Sequence, residues 1–169
     1  LDSMASSWKG GSIVFQKKAG VDLGSANLIA SVSGEGIVMS EPSAVAVDRN
    51  TGQTLYYGTS AEKLLEAPPQ NIVLLRPFRE GVVNDLELAQ KLLAFIIRDH
   101  FRGTQRLALS IPCSASEIEE SAIAEIAGQC GIKYPHVVYS PVAALAGSET
   151  GITGQVLVVD IGATKTSMA

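Results

Sequence analysis

Two short stretches of this 169-residue chain hold residues that could do chemistry together. They are Val21-Asp22-Leu23-Gly24-Ser25 and Val159-Asp160-Ile161-Gly162-Ala163-Thr164. Both read apolar, Asp, apolar, Gly, small, and both follow or sit within an apolar run. Glycine lets the backbone approach an anion closely and turn its N–H groups toward it. The small residues after it keep the tip clear, and a hydroxyl such as that of Ser25 or Thr164 can donate to phosphate. The carboxylates of Asp22 and Asp160 would repel phosphate unless a cation lies between. Mg²⁺ suits that place, since it keeps several waters and is held by one or two carboxylates plus phosphate oxygens. Two such tips facing each other would clamp a nucleoside triphosphate tail and its metal. A single Asp-x-Gly is more often an ordinary tight hairpin, and that alternative stands for each stretch alone.

The elements that must position these tips follow from pattern. Ala19–Leu23 and Leu28–Val32 flank a Gly-Ser-Ala-Asn turn and predict a β-hairpin. Ile37–Met39, Ala44–Val47, Leu55–Tyr57 and Ile72–Leu75 predict short strands, and Thr59–Glu62 opens a short helix ended by Pro68-Pro69. A longer helix runs to about His100, with Asn84 as its cap, Glu87 closing a capping box, and Leu86, Ala89, Leu92, Leu93 and Ile96 on its apolar face. Leu107–Ile111 predicts a buried strand. Ser116 and Glu119 form a second capping box ahead of a helix whose apolar face is Ile118, Ala122, Ile123, Ile126, Ala127 and Cys130, with Gly131 as its C-terminal stop. Val137–Tyr139 is the next strand, Ser140 caps a helix with Pro141 in its first turn, and Gln155–Asp160 is a further strand, with residues 162–169 forming a turn and one more. Strands first, then helix and strand in alternation, give an α/β fold with a mixed sheet, antiparallel early and parallel later.

Composition removes several function classes. Apolar residues make up 46% and charged residues 18% of the chain, which excludes a solvating or disordered chain. The net charge of −4 leaves no basic excess for phosphate-driven nucleic-acid binding. No apolar run reaches the ~18 residues of a membrane-spanning helix. Cys113 and Cys130 form no CxxC and are expected to be buried small residues in a reducing, cytoplasmic setting. His100 and His136 have no metal-ligand pattern. Ser25, Ser110 and Ser114 lie in no Gly-x-Ser-x-Gly elbow, which argues against a serine hydrolase. Trp8, Ile13, Val14 and Phe15 beside Lys17 and Lys18 could touch a membrane surface, or belong to a flexible leader spanning residues 1–18.

Gly20-Val21-Asp22-Leu23-Gly24-Ser25-Ala26-Asn27 resembles the first phosphate loop of the bacterial actin family MreB. Gly36-Ile37-Val38, Glu41 to Ala46, Thr51-Gly52, Gly58, Asn71 to Val73, Arg76-Pro77, Gly81 to Val83 and Asp85 are similar to the stretches that follow it. Ile111-Pro112 and Val158 to Gly162 resemble a strand end and the second phosphate loop. The resemblance runs from Ala19 to Ser167 and is most specific over residues 20–85. It implies a ribonuclease-H-like (actin-like ATPase) domain over residues 19–150, with a small inserted subdomain at about 33–80. Residues 151–169 would then be the first strands of a second domain, expected to be missing from this chain. The superfamily joins actins, heat-shock chaperone ATPases and sugar kinases and binds Mg·ATP between two such domains. Carried over, Asp22, Gly24, Ser25 and Asn27 would serve one phosphate loop and Asp160, Gly162 and Thr164 the other, with Asp22 and Asp160 reaching Mg²⁺ through water.

Two departures bear on activity. The family carries Glu before the Pro that opens the helix after the third-last strand, where it positions the attacking water; here that residue is Ser140, which cannot act as a carboxylate base. The family's second loop reads Asp-x-Gly-Gly-Gly-Thr-Thr, whereas here Ala163 and Lys165 intrude, and Lys165 could pair with phosphate or be a solvated charge. The resemblance therefore implies a cytoskeletal or scaffold protein of the cell-shape type with doubtful hydrolysis. A nucleotide-free adaptor similar to the pilus-assembly homologue PilM, and a chaperone-type ATPase, are the alternatives. Expected partners are further copies of the protein, in filaments or in a swapped or edge-to-edge dimer through the unpaired strand Val156–Asp160, and peripheral membrane or assembly proteins, but not nucleic acid.

Overall fold

The computed structural model describes residues 17–67, 69–148 and 154–169. The leader up to residue 16, with the proposed membrane contact of Trp8 to Phe15, and most of the link at 149–154 lie outside the described residues.

The first hairpin is β1 (Lys18–Leu23) and β2 (Asn27–Val32), paired antiparallel with Val21 opposite Ala30 and Leu23 opposite Leu28. Its alternation is what a half-buried sheet requires: Ala19, Val21, Leu23, Leu28, Ala30 and Val32 all point into the core. β3 (Gly36–Pro42) extends this hairpin on the β2 side. On the other side β9 (Arg106–Ile111) lies parallel to β1, and β10 (Tyr134–Tyr139) lies parallel to β9. The order β10-β9-β1-β2-β3 is therefore a mixed sheet, parallel where helices supply the crossovers and antiparallel where hairpins do.

Between β3 and β9 the chain forms β4 (Val45–Asp48), β5 (Thr54–Tyr57), a short helix α1 (Gly58–Glu62) continued by a 3₁₀ turn, and β6 (Ile72–Leu75). These strands make a separate three-stranded sheet, β5-β4-β6, with a small core of Ala44, Ala46 and Ala61 covered by Leu64, Ile72 and Leu74. Asp48 builds its first turn by accepting from the amides of Asn50 and Thr51 at 2.8 and 3.1 Å. A two-residue turn then joins β7 (Phe78–Arg79) to β8 (Val82–Val83). Glu80 and Gly81 both have positive φ, 54° and 79°, as a tight hairpin of this hand requires.

α2 (Leu86–His100) and α3 (Glu117–Gln129) pack on each other and bury Leu88, Leu92, Leu93 and Ile96 with Ile123, Ile126 and Ala127 in the same core as the main sheet. Several sequence expectations are corrected here. Asp85, not Asn84, caps α2: its carboxylate accepts from Leu88 N at 3.0 Å, while the Asn84 and Asp85 amides both turn back to Pro77 O. Glu87 consequently closes no box and pairs with Lys91 one turn on, at 2.5 Å. Leu86 and Ile118 are exposed, because each stands in the first turn of its helix, ahead of the stripe that meets the sheet. Cys113 is exposed too, since it follows Pro112 beyond the end of β9; Cys130 is half-buried, and both thiols are free. Burial raises the pKa of the Cys130 thiol.

The α3 box forms as expected. Ser116 Oγ accepts from Glu119 N, and the Glu119 carboxylate accepts from Ser116 N at 2.7 Å and from its hydroxyl at 2.8 Å. The helix ends with Gly131 at φ 93° and paired bonds from Ile132 N to Ala127 O and Gly131 N to Gly128 O, the Schellman arrangement. The Ser116 amide, above all, holds the Glu119 carboxyl below its ordinary value of 4.5. A carboxyl depressed in the folded state contributes stability above its unfolded pKa, and that contribution is lost as pH falls through the folded one. Glu119→Gln is therefore expected to cost stability at pH 7 and much less at pH 3, measured by urea unfolding. Parallel losses at both pH values would contradict this.

α4 (Ser140–Gly147) begins one residue earlier than expected, with Tyr139 in the capping position and no side-chain cap. Ser140 is thus not the cap; its hydroxyl donates to Ile111 O at 3.1 Å and ties α4 to the end of β9. The final apolar strand is also corrected. It is not a long strand from Gln155 lacking a partner: β11 (Val159–Ile161) pairs antiparallel with β12 (Thr166–Met168), and Val158 and Ala169 exchange backbone bonds beyond them. The turn residues 162–165 make a hairpin that pairs the strand within its own chain.

Candidate functional site

The two tips meet. Thr164 Oγ1 donates to Ser25 Oγ at 2.9 Å, joining the turn of β1–β2 to the turn of β11–β12 across 139 residues of sequence. Beneath them lies a cleft of about 320 Å³. It opens at the C-terminal ends of the parallel strands β1 and β9, where ligands of α/β sheets commonly bind.

Each wall of the cleft comes from a different element. The first hairpin contributes Asp22, Gly24, Ser25 and Asn27; the last contributes Asp160, Gly162, Thr164 and Lys165. The β7–β8 turn contributes Glu80 and Gly81, β9 contributes Ser110, and α4 contributes Ser140. The structure therefore brings to one place all seven residues singled out in the two loops, with Ser140 beside them.

Local geometry explains the residue types. A Cβ built on Gly24 would stand 2.3 Å from Asn27 O, so the tip closes only around a glycine. Asp22 sits opposite Ser110 in the parallel register of β1 and β9. The Ser110 hydroxyl donates to Asp22 Oδ1 and accepts from Leu23 N at 3.2 Å. This buried serine thus fixes the carboxylate and the neighbouring amide together. Sequence reasoning gave Ser110 no role; its signal was a hydroxyl inside the otherwise apolar strand Leu107–Ile111. Lys165 donates to Ser114 Oγ, tying the second hairpin to the loop after β9. Glu80, also missed, brings a third carboxylate to the cleft wall, and its signal was the Glu-Gly turn between Phe78-Arg79 and Val82-Val83.

Comparison with known proteins places this geometry. A model of the family described as MreB/Mbl protein matches residues 16–169. The chain belongs to the MreB/Mbl family. It is 38% identical over 162 residues to the cell shape-determining protein Mbl of Bacillus cereus, covering 92% of this chain and 49% of that protein. It is 32% identical over 168 residues to the cell shape-determining protein MreB of Escherichia coli K12, covering 92% and 48%. This MreB/Mbl chain thus spans about half the length of these relatives. Among solved structures it superposes on MreB5 of Spiroplasma citri bound to ADP with a TM-score of 0.84 and 28% identity, covering 92% of this chain and 48% of that one. The MamK double helical filament subunit shares the fold at a TM-score of 0.77 and 20% identity, covering 90% and 49%. The actin-like fold class expected from the sequence is the one observed.

Proposed function

We propose that this chain is the phosphate-facing part of an actin-like, cell-shape cytoskeletal protein, and that its cleft receives the phosphates of ATP with Mg²⁺. The observation that carries this reading is the contact of the two hairpin tips, Ser25 to Thr164, with Asp22 and Asp160 on the walls below. MreB5 of Spiroplasma citri, a relative by fold and sequence, is known bound to ADP and to AMPPNP.

The donor set fits the metal. Among the described residues no three His, Cys, Asp or Glu side chains gather into a ligand cage. Two carboxylates beside hydroxyls and glycine amides suit a hydrated Mg²⁺ that is held mainly by phosphate oxygens. Asp22 and Asp160 would hold it through water, and when bound it would neutralise charge on the phosphates. Ser25 and Thr164 exchange their mutual hydrogen bond for bonds to phosphate, Gly24 and Gly162 let the backbone approach, Asn27 adds a polar side chain at the rim, and Lys165 adds a positive charge on the second tip. Self-association, a cytoplasmic setting and contact with membrane-associated assembly proteins belong to the same proposal.

Small-molecule sites bury roughly 70–90% of a ligand within about 300–1,000 Å³. This cleft is at the lower end of that range, and Asp22, Asn27 and Thr164 are exposed. The chain by itself is therefore expected to bind Mg·ATP weakly, with Kd on the order of 0.1–1 mM, or about −4 to −5.5 kcal/mol. Amide NMR shifts at Gly24 and Gly162 on titration with ATP, with and without Mg²⁺, would measure it. Low-micromolar affinity would contradict the open-cleft argument. No shift with Mg·ATP at about ten times that Kd would defeat the nucleotide reading.

A further inference from the structure

Arg76 is not among the residues that line the cleft, and it ties together parts of the chain that are distant in sequence. Its Nη1 donates to Ala26 O at 3.2 Å and approaches Ser25 O and Ser43 O at 3.5 Å each. Its Nη2 donates to Glu62 Oε1 at 3.1 Å, in the 3₁₀-continued helix that covers the small sheet. Ser43, fully buried, closes the arrangement by donating its own amide to Ala26 O at 2.7 Å. One guanidinium thus joins the tip of the first hairpin to the start of β4, the end of α1 and, through its own backbone, the end of β6.

Peptide geometry gives this arrangement a consequence at the cleft. In a trans peptide the C=O of one residue and the N–H of the next point in opposite directions. Carbonyls of Ser25 and Ala26 drawn to Arg76 therefore aim the N–H groups of Ala26 and Asn27 away from it, and Ser25, Ala26 and Asn27 line the cleft whereas Arg76 does not. Arginine suits the task because its planar fork can hold several oxygens and a carboxylate at once, which the single ammonium of lysine cannot. We propose that Arg76 is the positioning residue of the first phosphate hairpin, and that it transmits occupancy of the tip to the three-stranded sheet. The transmission rests on the nucleotide reading above; the positioning does not.

Hydrogen exchange on the full 169-residue chain separates the two. The probes are the amide of Ser43, which donates to Ala26 O, and that of Gly58, which donates to Ala44 O. Arg76→Ala is expected to speed exchange at Ser43 and through β2 about tenfold without ligand, since local openings have their own free energies. Arg76→Lys should recover less than half of that protection. Lys17→Ala, which removes an exposed pair with Glu35, should leave both probes unchanged. With saturating Mg·ATP, protection in the wild type should spread from residues 22–27 to Ser43 and Gly58, and in Arg76→Ala it should stop at the tip. By linkage, a sheet that senses the ligand must in turn bias its affinity, so Arg76→Ala should also weaken Mg·ATP binding about tenfold. Exchange at Ser43 within twofold of wild type in Arg76→Ala, or an equal rise across the whole chain, would overturn the positioning role. If Mg·ATP protects nothing in the wild type, the nucleotide reading and the transmission fail together, and the ligand-free comparison still decides the positioning.

Discussion

Gly24→Ala should abolish detectable Mg·ATP binding and cost about 1–3 kcal/mol of stability, the usual range for overpacking a tight site. The new methyl would lie 2.3 Å from Asn27 O, a distance real Cβ atoms do not tolerate. The clashing atom is backbone, so no side chain can swing aside to relieve it. Asn27 starts β2, and its register is held on one side by Leu28 opposite Leu23 and on the other by Asn27 opposite Pro42. Relief must therefore open the tip, and an opened tip displaces the amides and the Ser25 hydroxyl that the phosphates would meet. Gly162→Ala is the graded comparison: its Cβ would lie 3.1 Å from Lys165 O, close enough to need a few tenths of an ångström of movement. It should weaken binding less and cost under about 1 kcal/mol. Gly128→Ala is the control, because nothing lies within 4 Å of that Cβ and the position is helical; it should gain up to about 1 kcal/mol. Urea unfolding and the same NMR titration read all three. Gly24→Ala with wild-type stability and binding would show that the tip is loose and its glycine incidental.

The contrast between Gly24 and Arg76 shows what was legible from residue order alone. The need for Gly24 is local: a turn of four residues between two alternating runs announces it. The capping box of Ser116 and Glu119 and the stop at Gly131 are local in the same way, each settled within one turn of helix. Arg76 acts on Ser25 and Ala26 from about 50 residues away, and Ser110 acts on Asp22 from 88 residues away. No periodicity encodes such contacts: that of Ser110 exists only once β9 has been placed beside β1, and those of Arg76 only once the end of β6 reaches the first hairpin. The misplaced cap of α2 has a related cause. Asn84 and Asp85 are both good caps by type, and the choice between them is made by Pro77 O, which takes both their amides. A turn and a further strand over residues 162–169 are legible in the sequence, but the pairing of residues 166–168 back onto Val159–Ile161 is not, because Ala163 and Lys165 depart from the loop pattern that the resemblance supplies.

Ser140→Glu should raise ATP turnover about 10²-fold or more, while lowering stability by about 1 kcal/mol. A positioned proton acceptor typically contributes 10²–10⁴-fold to such a step. Ser140 lines the cleft at the start of α4, so a longer side chain there can reach toward a water near the phosphates, at the position where the sequence resemblance implies a glutamate. The stability cost comes from the bond that Ser140 Oγ makes to Ile111 O. A carboxylate cannot donate, so that carbonyl loses its partner, and a lost neutral hydrogen bond is worth about 1 kcal/mol. The two readouts should therefore move in opposite directions, which a general loosening of the fold cannot produce. Ser140→Gln supplies the same length without a base: it should keep the stability near wild type through its amide donor and gain no turnover. Phosphate release at saturating Mg·ATP measures the rate per chain. Equal rates for Glu and Gln would mean that position 140 does not reach the water. A wild type already as fast as Ser140→Glu would shift the role to another carboxylate of the cleft. Glu80 is the one to replace first, since its positive-φ turn holds it in the same wall.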